Sequence, residues 1–142
     1  MTMDEQKSVL DFALSEFQFV VNKYGFDKPI IEEKGGITTI DYLKKNIGIE
    51  IELDWRDMSA SLMVVRLENG CLPDGYYVSN GKTCRKHLRR VFCDHGWAWD
   101  GGKNKSLSPR SMARMKDDIS ADRRNLIARI KDVVYGERIF VD

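Results

Sequence analysis

Cys84, His87, Cys93 and His95 stand close together in the sequence and offer two sulfurs and two imidazoles, the donor types and number that structural zinc takes. Their spacing argues against a closed site. If residues 82–93 are helical, Cys84 and His87 share a face, but nine residues at 100° each carry Cys93 to the opposite side. The set reads as buried thiols and unrelated histidines, and no metal is assigned. Gly75 followed by Gly81-Lys82-Thr83 invites comparison with a phosphate-binding loop, in which backbone N–H groups and a lysine hold phosphates ahead of a helix. That motif needs four residues between its glycines, and Tyr76 to Asn80 make five, so a plain turn is expected. For nucleophilic catalysis only Cys84 with His87 offers even sequence proximity, and nothing completes a triad. No reaction can be named, and no cofactor is implied.

Two charged sets remain. Glu50, Glu52 and Asp54 alternate with apolar residues, and Asp57 follows. Carboxylates are what a hard cation accepts, yet alternate strand residues stand about 6.6 Å apart, so three in a row seldom reach one ion. They read as a solvated sheet face matched by cross-strand Lys44 or Arg66, or as an acidic docking face for a basic partner. Lys82, Arg85, Lys86, Arg89 and Arg90 are followed by Phe92, Trp97 and Trp99 and then by Lys103, Lys105, Arg110 and Arg114. Here phosphate-seeking charge is interleaved with rings on which bases could stack. The competing reading makes Trp97 and Trp99 core anchors under a loop and pairs the bases with the acidic first half. No established nucleic-acid motif accompanies the segment. A net charge of +1 conceals this division: residues 1–78 carry −6, residues 79–116 carry +8 and residues 117–142 carry −1.

The elements that must position these groups follow from periodicity. Thr2 and Glu5 have capping-box spacing, and Val9, Leu10, Ala13, Phe17, Val20, Val21 and Tyr24 form one helical stripe that Gly25 would end, with Phe26 folding back onto it. β-Branched residues cluster at Ile37–Ile40. Strict alternation at Ile47, Ile49, Ile51, Leu53 and Trp55 predicts a strand, and Met58–Leu67 a third. Asn69-Gly70 and Asn80-Gly81 are tight-turn pairs, with a short fourth strand at Tyr76–Val78 between them. Leu88, Val91 and Phe92 favour a helix within 82–93. A long loop surrounds Gly96, Gly101 and Gly102. Ser108-Pro109 then predicts the start of a C-terminal helix, with Met112, Met115, Ile119, Leu126, Ile130 and Val133 inside, an interruption near residues 117–122 and a stop at Gly136. The expected class is α+β: an antiparallel meander of three or four strands covered by N-terminal and C-terminal helices.

The 142 residues fit a single domain, and 42% hydrophobic with 32% charged residues is ordinary globular usage. No apolar run approaches the roughly 20 residues that cross a bilayer, and the acidic N-terminus is unlike a signal peptide, so no membrane partner is expected. Three cysteines cannot all pair within one chain, which points to reduced thiols and the cytoplasm.

The stretch Ile47-Gly-Ile-Glu-Ile-Glu-Leu-Asp-Trp-Arg-Asp57, following a helix that ends Lys23-Tyr-Gly-Phe26, resembles small uncharacterised bacterial proteins, some similar to immunity proteins of toxin systems. The resemblance spans residues 10–70 and implies a protein that binds and neutralises a cognate partner, often through one charged face. The leading expectation is therefore a protein-binding module using either the acidic face (Glu50, Glu52, Asp54) or the basic segment (Lys82, Arg85, Lys86, Arg89, Arg90, Trp97, Trp99). A nucleic-acid-binding accessory protein acting through residues 82–116 is the alternative. The third reading is an enzyme whose site is assembled from residues distant in sequence.

Overall fold

The computed structural model describes residues 1–101, 105–136 and 138–140; Gly102 and Lys103 of the predicted loop lie outside them. Thr2 Oγ1 accepts from Glu5 N–H at 3.1 Å while Glu5 Oε1 accepts from Thr2 N–H at 3.2 Å, so the capping box forms and starts α1 (Met3–Glu16). The apolar stripe does not continue as one helix. Phe17 leaves helical geometry, and α2 (Gln18–Asn22) begins after it, with Val9, Ala13, Phe17 and Val20 all buried. Gly25 turns the chain with φ 73°, which favours a residue without a Cβ, and Phe26 packs back against the helix with its N–H on Val20 O.

Five antiparallel strands form the main sheet in the order β1-β2-β3-β4-β7. They are β1 (Ile30–Lys34), β2 (Ile37–Lys44), β3 (Ile47–Asp54), β4 (Ser59–Arg66) and β7 (Arg85–His87). The predicted antiparallel meander forms as β2-β3-β4, and both edge strands are additions to it. The short strand expected at Tyr76–Val78 is instead the ribbon of β5 (Val78–Ser79) with β6 (Lys82–Thr83), closed by Asn80-Gly81 with both φ angles positive. β6 and β7 occupy the first half of the predicted 82–93 helix, and α3 starts only at Leu88 and ends at His95. Gly81-Lys82-Thr83 therefore belongs to a hairpin and leads into no helix.

One sheet face carries Ile40, Tyr42, Ile49, Ile51, Leu53, Leu62 and Val64 into the main core beneath the helices, where each large side chain contributes about 1.5–3 kcal/mol by leaving water. The other face is only partly wet, because residues 67–84 fold back over it and pack Leu67 and Leu72 against Leu43, Met63 and Val65. α4 (Met112–Ala128) is capped by Ser111, whose Oγ accepts from Arg114 N–H at 3.1 Å, so the helix begins three residues after the predicted Ser108 cap. It runs unbroken through Asp117–Asp122, where Asp118 and Asp122 turn their side chains to β4. The break falls at Arg129, before α5 (Ile130–Tyr135) and Gly136. Among the described residues no helix is long and apolar enough to cross a membrane.

Candidate functional site

β7 is three residues long and faces only Met63–Val65, leaving the first half of β4 without a neighbouring strand on the side away from β3. The register directs the N–H groups of Ala60 and Leu62 into that space. α4 crosses there. Asp118 Oδ2 accepts from Ala60 N–H at 3.3 Å, and Asp122 accepts from Leu62 N–H. Carboxylates four apart on a helix are separated by about 6 Å of rise, close to the roughly 6.6 Å between alternate strand residues, so one helix serves two rungs of the ladder.

Between this margin and α3 lies an open groove of about 810 Å³. It gathers much of the predicted basic segment: Arg89, Arg90, Arg110 and Arg114 line it together with Trp99 and Met58. Arg89 lies over the Trp99 ring at 5.7 Å, and Arg90 pairs with Asp94 at 2.9 Å yet stays 70% exposed. Arg110 donates to Arg56 O at 2.7 Å, and the buried Arg114 donates to Leu107 O at 2.9 Å. The same groove holds Asp57, Asp117, Asp118 and Asp122, which a search for basic clusters could not reveal because they come from two distant segments. Burial, reinforced by the negative charge of Asp118, pushes the Asp122 carboxyl up to about 8. The lining is thus of both signs, around an apolar strip. Cys93 and His87 also reach it, but His87 Nε2 engages Tyr77 Oη at 3.3 Å, and no nucleophile–base pair forms among the described residues.

Other predicted residues lie elsewhere. Lys82 is exposed on the β5–β6 hairpin. Arg85, expected on the basic surface, is buried and gives its Nε and Nη2 to Glu50 Oε1 and Oε2 at 2.8 and 3.2 Å. Glu50, expected on a wet face, is 3% exposed for the same reason. Its neutralising base is therefore Arg85. The proposed cross-strand bases are spent on backbone, with Lys44 Nζ on Tyr24 O and Arg66 Nη2 on Phe140 O. Glu52 accepts from Tyr76 Oη, and Asp54 caps the following turn through Arg56 and Asp57 N–H. The acidic face is consumed by structure.

Asp41, which sequence reasoning passed over, faces Glu50 across β2 and β3 and is 2% exposed, with Oδ1 lacking a partner. Burial and the neighbouring Glu50 raise its carboxyl to about 9, so it holds a proton. Burial pushes Glu50 upward too, but hydrogen bonds from Asp41 and Arg85 outweigh it and leave Glu50 lowered and ionised.

Lys86 bridges Asp94 and Ile139 O, both at 3.2 Å. Trp97 is half-buried between His95, stacked at 4.5 Å, and the Arg129 guanidinium at 4.8 Å. Trp97 and Trp99 both meet Phe92 edge-on, so the tryptophans anchor the loop while Trp99 keeps one side on the groove. The four sulfur and imidazole residues do not converge: Cys84 is buried beside Tyr76 O, Cys93 is exposed, and His87 and His95 engage Tyr77 and Val91 O. Among the described residues no three or more such groups are placed to hold a metal ion.

No family model, curated protein or solved structure matches this chain. Its function has to be read from this geometry.

Proposed function

We propose that the chain is a protein-binding module that seats a segment of its partner in the groove between β4, α3 and α4. The observation that carries this reading is the alternation of sign within one groove, where Arg89, Arg90 and Arg110 stand with Asp117 and Asp118 around Trp99 and Met58. A polypeptide offers both charges and apolar groups to such a lining. A nucleic-acid backbone offers one charge and would bring phosphates against carboxylates. The resemblance of residues 10–70 to small uncharacterised bacterial proteins, some similar to immunity proteins of toxin systems, supports a toxin as the partner. Three free cysteines support a reducing compartment, hence the cytoplasm.

A second reading, nucleic-acid binding, draws on the four arginines and Trp99 that share the groove. A tagged pull-down from source-cell lysate, with and without nuclease, comparing the native chain with Arg89→Glu/Arg110→Glu, separates the two. One stoichiometric protein that survives nuclease and is lost from the variant is the expected result. Nucleic acid released steeply by salt would transfer the groove to the second reading, and an unchanged protein partner on the variant would remove the groove from the site.

A further inference from the structure

The opposite margin of the sheet lacks any comparable closure. All five residues of β1 are exposed, and β1 is the last strand on its side. Lys34 and Ile37 close a two-residue hairpin turn, so Lys34, Glu32 and Ile30 direct their backbone groups toward β2. The same alternation aims the N–H and C=O of Ile31 and Glu33 outward, where no described residue bonds to them. An apolar row also runs out here. Leu62, Ile51, Ile40 and Ile31 are successive neighbours across four strands, buried until Ile31, which is 45% exposed. Ile30, on the other face, is equally exposed.

From this margin we infer a second interaction surface: β1 accepts an extended strand of another protein, one that carries apolar residues opposite Ile30 and Ile31 and basic residues opposite Glu32 and Glu33. Strand addition satisfies the outward backbone groups, and the side chains of β1 decide which strand is accepted. One isoleucine and one glutamate project from each face, so an incoming strand meets the same apolar-then-acidic pair above and below the sheet. Charge chooses between the possible occupants. A second copy can pair antiparallel only with Ile31 and Glu33 facing outward from both strands: about Ile31 it sets Glu32 against Ile30, about Glu32 it sets Glu32 against Glu32, and about Glu33 it sets Glu33 against Glu33, so no self-pairing puts a base opposite both glutamates. A strand with lysine or arginine opposite Glu32 and Glu33 supplies attraction at both. This surface lies at the far side of the sheet from the groove and stands whether or not the groove reading holds.

The test uses the full chain and a synthetic peptide repeating two valines and two lysines, with a peptide repeating two valines and two glutamates as the comparison, read by amide hydrogen exchange. The expected result is slowed exchange at Ile31 and Glu33, with the basic peptide bound at least about tenfold more tightly than the acidic one. Glu32→Lys/Glu33→Lys, both on exposed positions, should invert that preference, whereas Arg89→Glu in the groove should leave it unchanged. Absence of protection at millimolar peptide overturns the inference, as does equal protection by both peptides. Protection of the same amides by rising protein concentration alone also overturns it, in favour of a second copy as the occupant.

Discussion

Along the β4 margin, Ala60 and Leu62 give their N–H groups to Asp118 and Asp122, Val64 lies opposite Lys86 of β7, and Arg66 N–H reaches Cys84 O. Along β1 the two outward N–H groups, on Ile31 and Glu33, have no such partner among the described residues. Both margins belong to one sheet, and β1 and the first half of β4 carry the same backbone liabilities where no strand lies outside them. The difference teaches that closing an edge takes particular side chains at particular heights, and that charge alone can guard an edge without satisfying it. At β4 the carboxylates accept hydrogen bonds; at β1 they only select what approaches.

The comparison breaks most severely where the closed margin is tied to the interior. Arg85→Met should cost about 3–5 kcal/mol in denaturant unfolding, because it leaves ionised Glu50 buried without its partner. A loss below 1 kcal/mol would mean that β7 closes the edge by backbone pairing alone. Asp118→Leu/Asp122→Leu should cost about 1–3 kcal/mol and accelerate exchange at Ala60 and Leu62, since their amides lose both acceptors.

Asp122→Asn sharpens the picture through pH. The folded carboxyl sits at about 8, above the ordinary aspartate value of about 3.9, so the native state holds a proton that the unfolded chain releases. Its contribution is fully present below about pH 4 and is lost as pH rises toward 8. The asparagine variant keeps an acceptor for Leu62 and should match the native chain near pH 4, while exceeding its stability by a margin that widens as pH rises toward 8, measured by thermal unfolding across that window. The smallest effect belongs to the open margin. Ile31→Thr should change stability by no more than about 0.5 kcal/mol, as befits a half-exposed side chain with no partner strand.

Much of the fold was legible because its signals are local. The capping box at Thr2 and Glu5, the alternation from Ile47 to Leu53 and the two Asn-Gly turns each act over a few residues, and all three appear as predicted. β1 was missed because Glu32-Glu33 disfavours a strand and its exposure removes any apolar alternation. The candidate site was half legible. Arg89, Arg90 and Trp99 were visible as a basic, aromatic segment, but the aspartates that change the groove's character arrive from α4. Arg85 was assigned to the surface because nothing local announces a partner 35 residues away. The charge division between the first half and the middle of the chain was the one sequence signal that such pairing existed.

The docking of Asp118 and Asp122 onto Ala60 and Leu62 also bears on cooperativity. Where a strand is bordered by another strand, its amides open when that neighbour peels away. Here two rungs are held from a helix, so loosening α4 frees the sheet margin in the same event, while fraying of β7 leaves those rungs intact. Helix and strand thereby form one unfolding unit across 58 residues of sequence between Ala60 and Asp118. The protection of two strand amides becomes a gauge of a helix.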